Sequence, residues 1–157
     1  MTQAVVGGVT VGYTYNSDGL RTRQSIAGTI THYLWDERST YGDVVAEFNA
    51  SYVVTASYVL GNGQIISQTR SGNTNYYLAD VQGSTRALTN TAAAITDTYR
   101  YSAFGETEAQ SGSTLNSYLY TGQQYDSSTQ LYSLRARSYD AAIGRFLARD
   151  TYPVSHQ

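Results

Sequence analysis

Apolar and polar residues alternate along this chain in short runs, and a tyrosine recurs in every second run or so. Val9, Val11, Tyr13 and Tyr15 fall on one side of an extended segment, with Thr10, Gly12 and Thr14 on the other. A period of two sends successive side chains to opposite faces of a β-strand, and no helix can use it. The same grammar predicts strands over 20–26, 29–35, 50–60, 64–70, 75–79, 84–89, 95–104, 117–121 and 130–139. Asn16-Ser-Asp18-Gly19, Ala27-Gly28, Gly61-Asn62-Gly63 and Ser71-Gly72-Asn73 supply turns between them, Asp-Gly being a favoured hairpin pair. Only the 39–49 stretch breaks the rhythm, and it reads as an inserted loop.

The tyrosines set a longer period. Tyr13, Tyr33, Tyr58, Tyr77, Tyr99, Tyr118 and Tyr139 are separated by 20, 25, 19, 22, 19 and 21 residues. That spacing accommodates one strand pair per unit, the mark of a repeat architecture whose units bury a face only by stacking on their neighbours. Stacked tyrosines admit two readings, a sugar-binding platform or an aromatic framework holding the sheet. Their adherence to the repeat period favours the framework.

Composition narrows the partners. All ten basic residues are Arg, and Lys, the usual guard of an exposed sheet edge, is missing. The sheet is therefore expected to pair with more of its own kind, in neighbouring repeats of a longer chain or in further copies. A net charge of −2 gives no footing for nucleic acid, and no apolar run is long enough for a membrane helix. Cysteine is absent, which excludes disulfides and thiolate metal sites, and neither metal nor cofactor is expected.

Several segments resemble the YD repeats of rearrangement-hotspot (Rhs) proteins, teneurins and Tc toxins. Tyr13-Thr-Tyr15-Asn-Ser-Asp18-Gly19 is similar to the repeat itself. Tyr77-Leu-Ala-Asp80-Val-Gln-Gly83-Ser and Tyr99-Arg-Tyr101-Ser-Ala-Phe104-Gly105 are similar to two further units. The last forty residues resemble the Rhs-associated core through Gly122, Tyr125, Asp126, Tyr132, Arg135, Arg137, Tyr139, Asp140, Gly144, Arg145 and Phe146. The resemblance implies an all-β fold of consecutive antiparallel hairpins in a curved or spiralling sheet, part of a shell or stacked assembly. It divides the chain into a YD-repeat strip over 1–116, with a loop insertion near 37–49, and a core-like segment over 117–157. It also implies an extracellular or cell-surface setting, and an enclosed toxin effector or a cell surface as partner.

In toxin members of the family the core segment cuts the effector free as an aspartyl protease, which makes Asp150 and Asp140 the catalytic candidates here. Such chemistry needs two carboxylates close together, one protonated and one charged. Asp150 is followed by Thr151 rather than the family's Pro, and the second acid of the pattern lies beyond Gln157. Arg135, Arg137, Arg145 and Arg149 crowd Asp126, Asp140 and Asp150 in sequence, so ion pairing is the stronger expectation. The sequence thus points to a structural scaffold that encloses or presents an effector. A self-assembling filament or adhesive module, and a self-cleaving segment, stand as alternatives.

Overall fold

A computed structural model describes residues 2–36, 38, 43–135 and 137–149. Eleven strands lie in one antiparallel sheet in strict chain order. They are β1 (Gln3–Val6), β2 (Val9–Tyr15), β3 (Arg21–Ile26), β4 (Thr29–Asp36), β5 (Asp43–Phe48), β6 (Val54–Gly61), β7 (Gln64–Arg70), β8 (Asn73–Ala79), β9 (Thr85–Thr89), β10 (Ile95–Tyr101) and β11 (Thr107–Ser111). A second sheet holds β12 (Gln124–Asp126), β13 (Leu131–Leu134), β14 (Arg137–Asp140) and β15 (Arg145–Phe146), again in chain order. The expected all-β hairpin fold is what the chain adopts.

Among the described residues, two kinds of turn join the strands of the large sheet. Gly7-Gly8, Ala27-Gly28, Asn62-Gly63 and Ser71-Gly72 have positive φ at both positions, as tight two-residue hairpins require. The other kind is longer and organised by one polar side chain. Asn16, Asn49, Asp80, Asn90 and Ser102 each accept backbone N–H groups from the residues two and four positions on. The residue three positions on (Gly19, Tyr52, Gly83, Ala93 or Gly105) has positive φ. Each of these five turns is accompanied by a register shift in the adjoining strand pair. Bulges bend a strand and deepen its twist, so the turn chemistry shapes the strip as well as closing each hairpin.

Several sequence expectations give way here. Residues 43–48 form β5, in mid-sheet, rather than part of a loop, while 37 and 39–42 lie outside the described residues. Their charged Glu47 masks the strand in the sequence, yet it is buried by pairing with Arg70. Residues 50–53 are turn rather than strand, because Asn49 claims their backbone donors. Strand β10 ends at Tyr101 for the same reason at Ser102. Residues 117–121 contribute one isolated bridge, Tyr118 to Gln124, and lead into a 3₁₀ turn at Tyr120–Gly122. The run over 130–139 is a hairpin, β13 to β14, turning at Arg135 with φ 56°.

After β11 the chain reverses and runs back across one face of the large sheet. Thr114 N–H donates to buried Asp97 on β10, Gln68 on β7 donates to the Leu115 carbonyl, and Thr85 on β9 bonds to Tyr118 and Leu119. The core lies between the sheet and this returning segment. One cluster gathers Leu88, Tyr99, Tyr101, Leu119, Tyr132 and Ala141, and another Val44, Ala56, Tyr58 and Tyr118.

Candidate functional site: the covered face of the sheet

The twenty-residue period acquires a physical meaning on this face. Tyr13, Tyr33, Tyr58, Tyr77 and Tyr99 occupy β2, β4, β6, β8 and β10, one on every second strand. Three of them donate to a polar side chain of the strand before: Tyr33 to Gln24, Tyr58 to Glu47 and Tyr77 to Gln68, at 2.6, 2.6 and 3.1 Å. Buried polar groups must find partners or cost free energy, so each tyrosine needs its acceptor as much as its packing. Burial pushes the Tyr33 hydroxyl up to about 12 and raises Tyr58, Tyr77 and Tyr118 well above their ordinary range. These phenols are hydrogen-bond donors and packing surfaces within the fold.

Two ion-pair clusters sit among them. Arg70 bonds both Glu47 and the Tyr58 hydroxyl, at 2.9 and 2.6 Å, which charges the centre of the sheet without leaving an ion alone. The other cluster ties the earliest strands to the second sheet. Asp126 Oδ2 accepts from the Tyr13 hydroxyl at 2.7 Å and from Gln24 Nε2 at 2.5 Å, with Arg21 Nη1 at 3.9 Å. Arg21 Nη2 also donates to Gln124. Asp126 Oδ1 meanwhile caps its own turn by accepting Ser128 N–H. Residues more than a hundred positions apart thus meet at one buried carboxylate.

The second sheet carries an aromatic ladder. Tyr125, Tyr132, Tyr139 and Phe146 stand opposite one another on successive strands, with ring centroids 4.9, 6.5 and 5.5 Å apart. The hydroxyls of Tyr120, Tyr132 and Tyr139 donate to the carbonyls of Ala103, Gly105 and Phe104, pinning the ladder to the last turn of the large sheet. Gly105 is close to obligatory, since a Cβ there would lie 2.4 Å from the Tyr120 ring. Gly144 packs on the Phe104 ring in the same corner.

The site residues expected from sequence distribute across these features. Tyr15 flanks Tyr13, with centroids 6.5 Å apart. Asp18 donates its backbone N–H to Asn16, the side chain that organises this turn. Asp80 organises one of the longer turns, with Gly83 at its positive-φ position. At the arginine-rich end some of these side chains reach partners far away in the sequence. Asp126 meets Arg21, Arg135 meets Asp43 at 3.9 Å, and Arg137 lies 3.7 Å over the Phe146 ring. Asp140 Oδ1 accepts Ala142 N–H in the β14–β15 turn, opposite Arg145. Asp150 lies outside the described residues. No group of three or more metal-ligating side chains occurs among the described residues.

Known proteins share this organisation. The chain is 35% identical over 147 residues to the tRNA3(Ser)-specific nuclease WapA of Bacillus spizizenii, a match spanning 91% of this chain but 6% of that protein. It is 31% identical over 138 residues to Salivary gland surface protein 1 of Aedes aegypti, covering 78% of this chain and 4% of the relative. Its fold superposes on the crystal structure of TcdB2-TccC3 with a TM-score of 0.66 at 18% identity, over 91% of this chain and 8% of the other. Residues 2–156 match the teneurin YD-shell family, and the chain belongs to that family.

Proposed function

We propose that this chain is structural, a section of shell wall in a longer YD-repeat protein that houses a C-terminal effector and acts outside the cell. The observation that carries the reading is the wiring of the large sheet. Eleven strands follow in chain order, and the segment after them returns to lock β2 and β3 through Asp126. A wall needs a continuous sheet, and a wall that must hold its curvature needs one face braced. The relatives supply the context: one is named as a nuclease of which this chain matches 6%, leaving ample length for an effector elsewhere.

Electron microscopy of the chain within its longer natural protein tests the proposal. Hollow particles whose wall density fits this sheet are expected. Filaments assembled from many copies would replace the proposal with the self-assembly alternative, and a solid particle with this sheet at its surface would sink both. Self-cleavage is read separately, by extending the chain beyond Gln157 and following release of the extension in Asp150→Asn and Asp140→Asn variants.

A further inference from the structure

A cavity of about 200 Å³ opens where three turns converge beside the returning segment: Asn62-Gly63, the Asp80 turn and the 3₁₀ turn ending at Gly122. We infer that this cavity binds a single neutral sugar ring, a ligand class separate from any role of the wall. Its volume, equivalent to roughly half a dozen waters, admits one ring with its hydroxyls and no extended chain.

The floor and the rim differ in chemistry. Trp35 lines the floor, and its indole N–H is already spent on the Arg21 carbonyl at 2.9 Å. Tyr77 lines it too, with its hydroxyl engaged by Gln68 and Asn116. What the floor offers a ligand is therefore ring surface. On the rim, the side-chain amides of Gln64 and Gln82 make no hydrogen bond among the described residues. Gln123 uses its Nε2 on the Thr121 carbonyl and keeps its Oε1. An amide presents donors and an acceptor in one plane, which suits adjacent hydroxyls on a ring.

Charge argues against an anion. Among the described residues, the charged side chains lining the cavity are Asp43 and Arg135, one of each sign and 3.9 Å apart. A phosphate or carboxylate would meet no surplus of positive charge, whereas a polyol draws on donors and acceptors of both kinds. Tyr77 belongs to the tyrosine framework, and because its hydroxyl is consumed inside the fold it offers the site only the surface of its ring.

Trp35 is the sole tryptophan, so its emission reports on the cavity directly. Titration with methyl glucoside, methyl galactoside and methyl N-acetylglucosaminide is expected to give a saturable emission change with at least one. A Gln64→Ala/Gln82→Ala variant should weaken that binding about tenfold, the loss of two ordinary hydrogen bonds. Both side chains are exposed and unengaged, so thermal unfolding should match the parent. Saturation-transfer NMR on the unsubstituted chain gives a second reading, with transfer from the indole to protons of the sugar ring expected. No saturable response to any of the three glycosides, no transfer, or equal affinity in the double variant would each overturn the assignment. So would preferential binding of acetate or phosphate.

Discussion

Replacing Asp126 with alanine removes, in one step, the carboxylate on which Tyr13, Gln24 and Arg21 converge and the cap of the turn that follows. Side-chain exposures of 6% for Arg21 and 5% for Asp126 leave almost no water to take over the screening. At roughly 4 Å and an effective dielectric near 20, the Coulomb attraction alone is about 4 kcal/mol. Breaking a buried pair from one side costs about 3–5 kcal/mol, because the surviving charge stays buried. Asp126→Ala is therefore expected to destabilise the chain by about 3–5 kcal/mol. Asp126→Asn keeps an oxygen for the Ser128 cap and should cost about 2–3 kcal/mol, since an amide beside Gln24 Nε2 and Arg21 replaces attraction with mismatch. Urea denaturation followed by far-UV circular dichroism measures each difference. The decisive measurement is the double variant Arg21→Met/Asp126→Ala. Removing both charges should cost at least about 1.5 kcal/mol less than the two single changes added together. Additivity within about 0.5 kcal/mol would refute the claim that this ion pair joins the two sheets.

The turn motif predicts that Asn16→Ala costs about 1–2 kcal/mol through its two lost backbone contacts, while Asp18→Ala is neutral within about 0.5 kcal/mol; thermal melts compare them. Gly112→Ala should prevent stable folding, because its Cβ would stand 2.1 Å from buried Asp97 Oδ1 and 2.5 Å from the Thr96 carbonyl. Gly28→Ala, at φ 85° in open space, should cost only about 1 kcal/mol of backbone strain, and circular dichroism separates the two outcomes. Burial raises Tyr33 and Tyr132 from 10.0 to about 12, so the native state holds their protons after the unfolded chain has released them. Their contribution is complete below about pH 10 and disappears by about pH 12, a loss of about 3 kcal/mol for each tyrosine. Denaturation midpoints should fall across that window as tyrosinate absorbance rises; a flat stability profile would contradict the burial.

Much of the fold was open to reading because strands and tight turns are local. The alternation around Tyr13 and Tyr58 and the positive-φ pairs at Ala27-Gly28 and Asn62-Gly63 need no knowledge of distant residues. Tyrosine spacing likewise anticipates that one residue in each hairpin faces inward. The misses share a cause of the opposite kind. Glu47 makes 43–48 look solvent-facing until Arg70, 23 positions on, neutralises it. Asn49 and Ser102 end strands by capturing backbone donors, and an alternating pattern alone gives no warning of that. Asp126 was expected to pair with arginines close in sequence, yet its carboxylate meets Arg21.

That last difference bears on what the returning segment does for the wall. Eleven antiparallel strands with a bulge beside each long turn specify a direction of curvature but leave its extent soft, since every hairpin contacts only its neighbours. The segment after β11 crosses β7 to β10 and delivers Asp126 to β2 and β3. It thereby fixes the distance between strands that share no ladder. Tyr118 illustrates the same economy of position: it keeps the twenty-residue spacing of the tyrosine series but has left the sheet, packing edge-on against Tyr58 with centroids 5.0 Å apart. One more repeat of the pattern has been turned from wall into brace. The chain resembles a simple array in sequence because the brace reuses the array's own residue, and only the long-range contacts distinguish the two.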